Sequence, residues 1–351
     1  MILVFAAAVL IALTFSGCVF TNQGSMTTEK NLSAFSSVSV FSSSADIELI
    51  ESDEYGLEIF APVTFDPRWD ITDGKLTIQG KTRLPFINIF RNPGYYIRVY
   101  YPAGTDFNDV VLESASGDIA LPLISAASLR IQSSSGSVFA EAEGCSSISI
   151  DTSSGDIKFS GSGDDVNISS TSGEVISVAK DYSANVSIET SSGDISFSGD
   201  GGNLSFNTSS GTIVSEADNC TAIRAETSSG DISLVNNGAE ASTLNVRSTS
   251  GGITATGVVW QDVTANTSSG DIEIAGALLG NTDISTSSGG VELTVYGDAS
   301  EYGFELTPNS GSIQWDGITM GSPARSSGSF DNFITVDTSS GDILVEFVEG
   351  C

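Results

Sequence analysis

The stretch Val186-Ser187-Ile188-Glu189-Thr190-Ser191-Ser192-Gly193-Asp194-Ile195-Ser196-Phe197 decides the fold. Apolar and polar side chains alternate on both sides of Thr190–Gly193, the period of a half-buried strand. The inward parity changes across the glycine. Counting Gly193 as zero, Val186 and Ile188 stand at −7 and −5, whereas Ile195 and Phe197 stand at +2 and +4. A straight strand would turn Ile188 and Ile195 to opposite faces, so Ser-Ser-Gly is read as a corner between two strands. Glycine is expected there because a sharp corner calls for a positive φ.

This stretch is one copy of many. The motif glycines are Gly117, Gly136, Gly155, Gly173, Gly193, Gly211, Gly230, Gly251, Gly270, Gly289, Gly311 and Gly341, and each follows a serine. Seven copies read Thr-Ser-Ser-Gly unchanged, and spacings from Gly117 to Gly289 run from 18 to 21 residues. A unit of this size cannot bury an apolar face alone, and stacking on neighbours supplies both core and backbone partners. The fold class expected is all-β: a parallel β-solenoid. Asp follows the glycine at 118, 156, 194, 231 and 271, while Ser137, Glu174, Thr212, Gly252 and Gly290 fill the intervening copies. Two explanations stay open. Either one unit of about 19 residues is a turn and alternation keeps carboxylates two strands apart, or two units make a 38-residue turn with unlike corners.

The repeats occupy 111–351, about twelve units. Ahead of them, 31–110 carries alternating segments such as Val38–Phe41 and Ile97–Tyr101, and Ser44-Ala45-Asp46-Ile47 is a degenerate copy of the motif. This region is expected to be an irregular β cap that closes the open edge of the stack. Residues 316–330 stretch the last spacing to 30 residues and are expected to protrude as a loop.

Composition narrows function. The 351 residues hold 13 Lys plus Arg against 44 Asp plus Glu, a formal charge of −31. Such a field repels phosphate backbones, which argues against nucleic-acid partners. There is no histidine, which removes the Ser/His and Cys/His pairs and every His-based metal site. No catalytic residue, metal site or cofactor is assigned, and the chain is read as not an enzyme. A lyase acting on acidic sugars is disfavoured because only six basic residues face 32 acidic ones from residue 111 onward. Calcium at the Asp corners is disfavoured too, since each corner offers one carboxylate. The Asp and Ser side chains are instead expected to cap their own turns. Cys145 and Cys220 each sit ten residues before a motif glycine, four units apart. That is beyond disulfide reach, so both are expected reduced and packed near a turn. Trp315 falls at an inward position, and Trp69 in the cap is the better candidate for a surface contact.

Residues 1–17 form an apolar run ending Ser16-Gly17, followed by Cys18. The segment resembles the lipobox of prokaryotic lipoproteins, which implies a signal peptide over 1–17 and lipidation of Cys18, with 18–30 as a tether. It departs from the pattern in having no Lys or Arg before the apolar run. The rest resembles the putative-adhesin families of prokaryotic surface proteins with Ser-Gly-Asp-Ile β-strand repeats. The shared residues are Phe35–Val40, Ala45–Leu49, Gly74–Ile78 and Tyr96–Pro102, followed by the repeats themselves. That resemblance implies a right-handed, single-stranded β-helix-like fold, an extracytoplasmic place on the membrane or outer cell surface, and an adhesin-like structural role. The alternative is an envelope binding or sensing module that recognises a glycan or a surface protein.

Overall fold

The computed structural model describes residues 24–62, 65–82, 94–179, 185–238 and 242–349. Among them there is no α-helix, and strands stack in parallel almost throughout. Ile148–Thr152 pairs with Val166–Ser170, and Ile157–Gly161 with Val175–Ala179. From the Gly117 turn to the Gly289 turn the offset is one unit at every step, so one unit of about 19 residues is one turn of the solenoid. Each turn gives one strand before its corner and one after it, and two parallel sheets result. Their inner faces meet: Phe197 on one sheet and Phe206 on the other have ring centroids 5.4 Å apart. Positions −7, −5, +2 and +4 are buried along the whole stack, in one continuous core.

The two-unit rhythm of the aspartates has a counterpart inside. At +4 the buried column runs Leu121, Ala140, Phe159, Ser177, Phe197, Ser215, Leu234, Ala255, Ile274, each the direct neighbour of the next. From Leu121 to Ile274 large and small alternate, so each of Phe159, Phe197 and Leu234 lies between two small residues; beyond Ile274 the column continues with Leu293 and the alternation ends. Interdigitation of this kind fills a layer at crystalline density. Turns beginning Gly-Asp carry the large residue. The alternation is therefore a matter of neighbouring turns, not of a longer turn.

Both ends close with antiparallel strands. At the amino end Ser37–Ser42 and Asp46–Ser52 make the first motif turn, with Ala45 at its corner, directly under the Gly117 turn. Outside it lie Lys75–Thr82 and Tyr96–Pro102, still parallel. Phe65–Thr72 and Gly56–Pro62 then run antiparallel to these two. Gly24–Lys30 adds a further antiparallel strand against Gly56–Pro62. The expected tether over 18–30 is thus too long, because its second half is an edge strand. The segment has no apolar alternation to betray it; it is held by backbone pairing, and Glu29 and Lys30 give it the charge typical of an exposed edge.

The carboxyl end departs from sequence order. Asn332–Ser340 and Ile343–Val348 lie directly against the Gly289 turn, while Tyr302–Pro308 and Ile313–Trp315 stack outside them. The corners run Gly270, Gly289, Gly341, Gly311. Three features specify this order. Thr338 donates its hydroxyl to the Gly289 carbonyl at 3.2 Å, which Pro308 in the equivalent place could not do. Asp342 accepts from the Ser312 N–H at 2.7 Å, whereas Gly290 would offer no carboxylate. Pro308 lacks an N–H where no further turn waits to accept one, the edge position at which proline belongs. The expected protruding loop over 316–330 is corrected as well. Ile318–Met320 pairs antiparallel with Ile313–Trp315, and Ala324–Arg325 with Glu305–Leu306. This segment is the carboxyl-terminal cap, and sequence spacing misread it because the chain doubles back through it. Thirteen corners, Ala45 and the twelve glycines, give a rod about 58 Å long between its end corners at about 4.8 Å per turn.

Candidate functional site

The corner column is where the sequence motif concentrates, and its chemistry can be followed atom by atom. The threonine or serine at −3 turns inward and is buried: Thr152, Ser170, Thr190, Thr208, Thr227 and Ser248 among others. Its hydroxyl oxygen accepts from the glycine N–H of its own turn, as Thr208 does from Gly211 at 3.1 Å and Ser248 from Gly251 at 2.9 Å. At Thr208, Thr227 and Ser248 the same hydroxyl also donates to the preceding corner's carbonyl, Thr208 to Gly193 and Ser248 to Gly230, both at 3.1 Å. One side chain thereby satisfies two backbone groups that would otherwise be buried unpaired.

The glycine serves a purpose other than the one its motif suggests. Eleven of the twelve motif glycines have ordinary φ; only Gly311 is positive, at 152°. Successive corners are so close that a Cβ on Gly193 would lie 1.9 Å from the Gly173 carbonyl oxygen, and one on Gly230 would lie 1.8 Å from that of Gly211. Close approach of backbone to backbone, and not a left-handed conformation, requires the missing side chain.

The Asp at +1 also differs from expectation. It reaches to the next turn rather than capping its own. Asp118 accepts from the Ser137 N–H, Asp156 from Glu174, Asp194 from Thr212, Asp231 from Gly252 and Asp271 from Gly290, at 2.7–3.0 Å. One carboxylate thus ties each pair of turns together, and a second would only add like charge. Where two acids do stack, at Asp46 and Asp118, burial first and then the Asp118 charge raise the Asp46 pKa, against the hydrogen bond from the Asp118 N–H. The Ser312 backbone N–H and hydroxyl hold Asp342 below the ordinary carboxylate range.

Beside this relay the surface is grooved, because −3 turns inward between outward residues at −4 and −2. Two stretches widen. One, about 460 Å³, is lined by Phe41, Glu113, Gln132 and Asp151, with Ser133 and Thr152 among its hydroxyls. The other, about 530 Å³, lies along Arg247, Asn266, Ser285 and Asp337. On the flank of the rod a third depression of about 320 Å³ runs beside an amide ladder. There Asn203 donates to Asn185 at 2.8 Å and Asn185 to Asp165 at 3.0 Å.

The other residues singled out by sequence are placed as follows. Cys18 lies outside the described residues. Cys145 and Cys220 are buried free thiols, and burial pushes both pKa values up. Trp315 is buried between Phe304 and Phe347, centroids 4.2 and 5.0 Å away. Trp69 packs half-buried against the core at the amino end and is not a free surface platform. Among the described residues no three acidic, cysteine or histidine side chains converge as a metal site. Sequence reading missed a cluster on the cap. Arg98 sits 3.9 Å over the Tyr96 ring, 2.7 Å from Glu48 and 3.8 Å from Glu58. These residues come from three strands, Asp46–Ser52, Gly56–Pro62 and Tyr96–Pro102, which no local spacing connects.

Stack, relay and groove define a parallel β-solenoid with one hydroxyl-bearing corner and capped ends. Residues 36–202 and 175–346 each match the model of the Toastrack DUF4097 family, and the chain belongs to that family. No curated protein matches it. Among solved structures it is similar to a "putative lipid binding protein" from Parabacteroides distasonis, with 20% identity, 74% of this chain and 96% of that one covered, and a TM-score of 0.37. It is also similar to a "putative adhesin" from Parabacteroides merdae, with 16% identity, coverage of 76% and 95%, and a TM-score of 0.34. A third, a "putative adhesin" from Bacteroides fragilis, has 14% identity, coverage of 73% and 98%, and a TM-score of 0.30.

Proposed function

We propose that this protein is a non-enzymatic, adhesin-like structural rod of the cell surface, anchored to the membrane through lipidated Cys18. The observation that carries the reading is the relay at the corner. The repeated hydroxyls, the feature most suggestive of reactive chemistry, are taken up by the corner backbone. Thr208, Thr227 and Ser248 each hold a glycine N–H and the neighbouring carbonyl. Ser114, Thr152, Ser170 and Thr190 hold the glycine N–H, and Thr267, Thr286 and Thr338 the carbonyl. A hydroxyl committed in this way is a fastening and not a nucleophile. The capped ends support the same reading, since a rod with blunted edges stays single instead of pairing edge to edge. The experiment is radiolabelled-lipid incorporation into the full chain, together with protease accessibility on intact cells. Labelling lost in Cys18→Ala, with the rod accessible from outside, is the expected result. Unchanged labelling in that variant, or protection of the rod in intact cells, would sink the proposal.

A further inference from the structure

The amino-terminal edge strand limits how far the protein can stand from its anchor. Gly24–Lys30 is the outermost strand of its sheet. It pairs with Gly56–Pro62, which pairs with Tyr96–Pro102, which pairs with Asp46–Ser52 in the first motif turn. The strand is engaged from its first residue: Gly24 stands opposite Pro62, and a Cβ on it would lie 2.2 Å from the Phe60 ring. Ser25 donates to the Ala61 carbonyl at 3.4 Å. Only residues 19–23 therefore separate Cys18 from the fold. Fully extended, such a link reaches about 20 Å, a third of the length of the rod. Its point of entry is fixed as well. Phe60 is opposite Tyr96, and Tyr96 is opposite Asp46, the residue after the Ala45 corner. Gly24 lies two residues beyond that line, on the corner edge of the amino end.

Charge is spread unevenly along the axis. Residues 24–110 carry 7 Lys plus Arg against 12 Asp plus Glu, a formal charge of −5, whereas residues 111–351 carry 6 against 32, a formal charge of −26. In the repeats no side is spared. Asp118, Asp194 and Asp271 lie exposed at the corner, Glu189 before it, and Glu216 and Glu273 on the sheet after it. Whichever side faced down, a rod lying on a membrane would bring part of this charge within a Debye length, about 8 Å, of the headgroups. Anionic lipids give that surface a negative potential, so this arrangement is opposed. A rod standing on its amino end brings only the weakly charged cap that close.

We infer that the protein stands upright on an anionic lipid surface, its amino-terminal cap within about 20 Å of the headgroups and its carboxyl-terminal cap outermost. The short link sets the height of the base, and repulsion between the repeats and the lipid holds the far end away. This rests on the lipidation of Cys18 proposed above.

The test is neutron reflectometry of the lipid-bearing full chain in a supported bilayer of phosphatidylcholine with a minority of phosphatidylglycerol. A protein layer about 60 Å or more thick, beginning within about 20 Å of the headgroups, is expected at physiological salt. In 1 M salt, where the Debye length falls to about 3 Å, the layer should thin as the rod becomes free to tilt. Insertion of about twelve Gly and Ser residues between Gln23 and Gly24 should move the inner boundary of the layer outward by about 10 Å or more. A layer of about 25 Å, the width of a rod lying flat, would overturn the inference. So would a thickness unchanged in 1 M salt, or an inner boundary indifferent to the insertion. Radiolabelling separates this from the anchor itself. A chain without lipid rejects the anchored-rod reading and the orientation with it, whereas a lipid-bearing chain that lies flat rejects the orientation alone.

Discussion

Gly193→Ala tests the account of the corner most directly. The added methyl would lie 1.9 Å from the Gly173 carbonyl oxygen and 2.7 Å from its carbon, where an ordinary carbon–oxygen contact is about 3.3 Å. The two turns must separate by roughly 1.4 Å at this point. Both partners are backbone, so neither can swing aside. Separation stretches the bonds from the Val175 N–H to Asp194 and from the Ser192 N–H to Thr171, now 3.0 and 3.1 Å. Overpacking costs about 1–3 kcal/mol, and two weakened hydrogen bonds about 1 kcal/mol each, giving roughly 3–5 kcal/mol in all. In a stack where each turn touches only its neighbours, the loss falls at one interface. Urea unfolding followed by circular dichroism should therefore show a lower midpoint that splits into two steps. Hydrogen exchange should quicken in the strands flanking residue 193 and little elsewhere. Gly321→Ala is the control: its Cβ would meet nothing within 4 Å, so a change within about 0.5 kcal/mol is expected. If Gly193→Ala unfolds and exchanges like the wild type, close approach is not what keeps glycine at the corner.

Three further outcomes follow from the same geometry. Thr227→Val keeps shape but strands the Gly230 N–H and the Gly211 carbonyl; a loss of about 2–4 kcal/mol is expected in the same urea assay. Tyr101 has a buried hydroxyl without a partner, and burial pushes its pKa up to about 12. Tyr101→Phe should leave stability unchanged or raise it by about 1 kcal/mol in thermal unfolding. Asp46 has a raised pKa, so the folded chain binds its proton more tightly than the unfolded chain, and ionisation costs stability as pH rises through that window. Asp46→Asn should raise the melting temperature at neutral pH. The gain should shrink as pH falls toward the ordinary aspartate value, where wild-type Asp46 is itself protonated; a gain independent of pH would refute the assignment.

Much of this molecule is legible in its sequence because the repeat ties every turn to one pattern. The parity change between Ile188 and Ile195 announces a corner, and recurrence of Gly at 18 to 21 residues announces a stack. What sequence does not convey is the agent. Glycine reads as a sign of positive φ because that is its commonest use, whereas the clash with a carbonyl one turn away exists only in three dimensions. Asp194 reads as a local cap because its partner, the Thr212 N–H, is 18 residues distant. The reversed last two turns were in principle visible. Placing Gly341 before Gly311 restores the alternation of Asp271, Gly290, Asp342 and Ser312, and it moves Pro308 to an edge. The groove was hidden for another reason. Phe41 and Glu113 are 72 residues apart, and only the pairing of their strands makes them neighbours.

The alternation of large and small residues at +4, in step with the aspartates, has a bearing on how such a rod can change in length. Removing a single turn from the middle would set Phe159 against Phe197 and stack Asp156 on Asp194, or set Ser177 against Ser215 and leave the Thr212 N–H without its carboxylate. Removing two adjacent turns would restore both patterns at the junction. The heritable module is the doublet of about 38 residues, and lengths compatible with this interior are separated by steps of about 9.6 Å. Gene duplications that add a doublet leave the fold in register, while those that add a singlet must be repaired by further substitution.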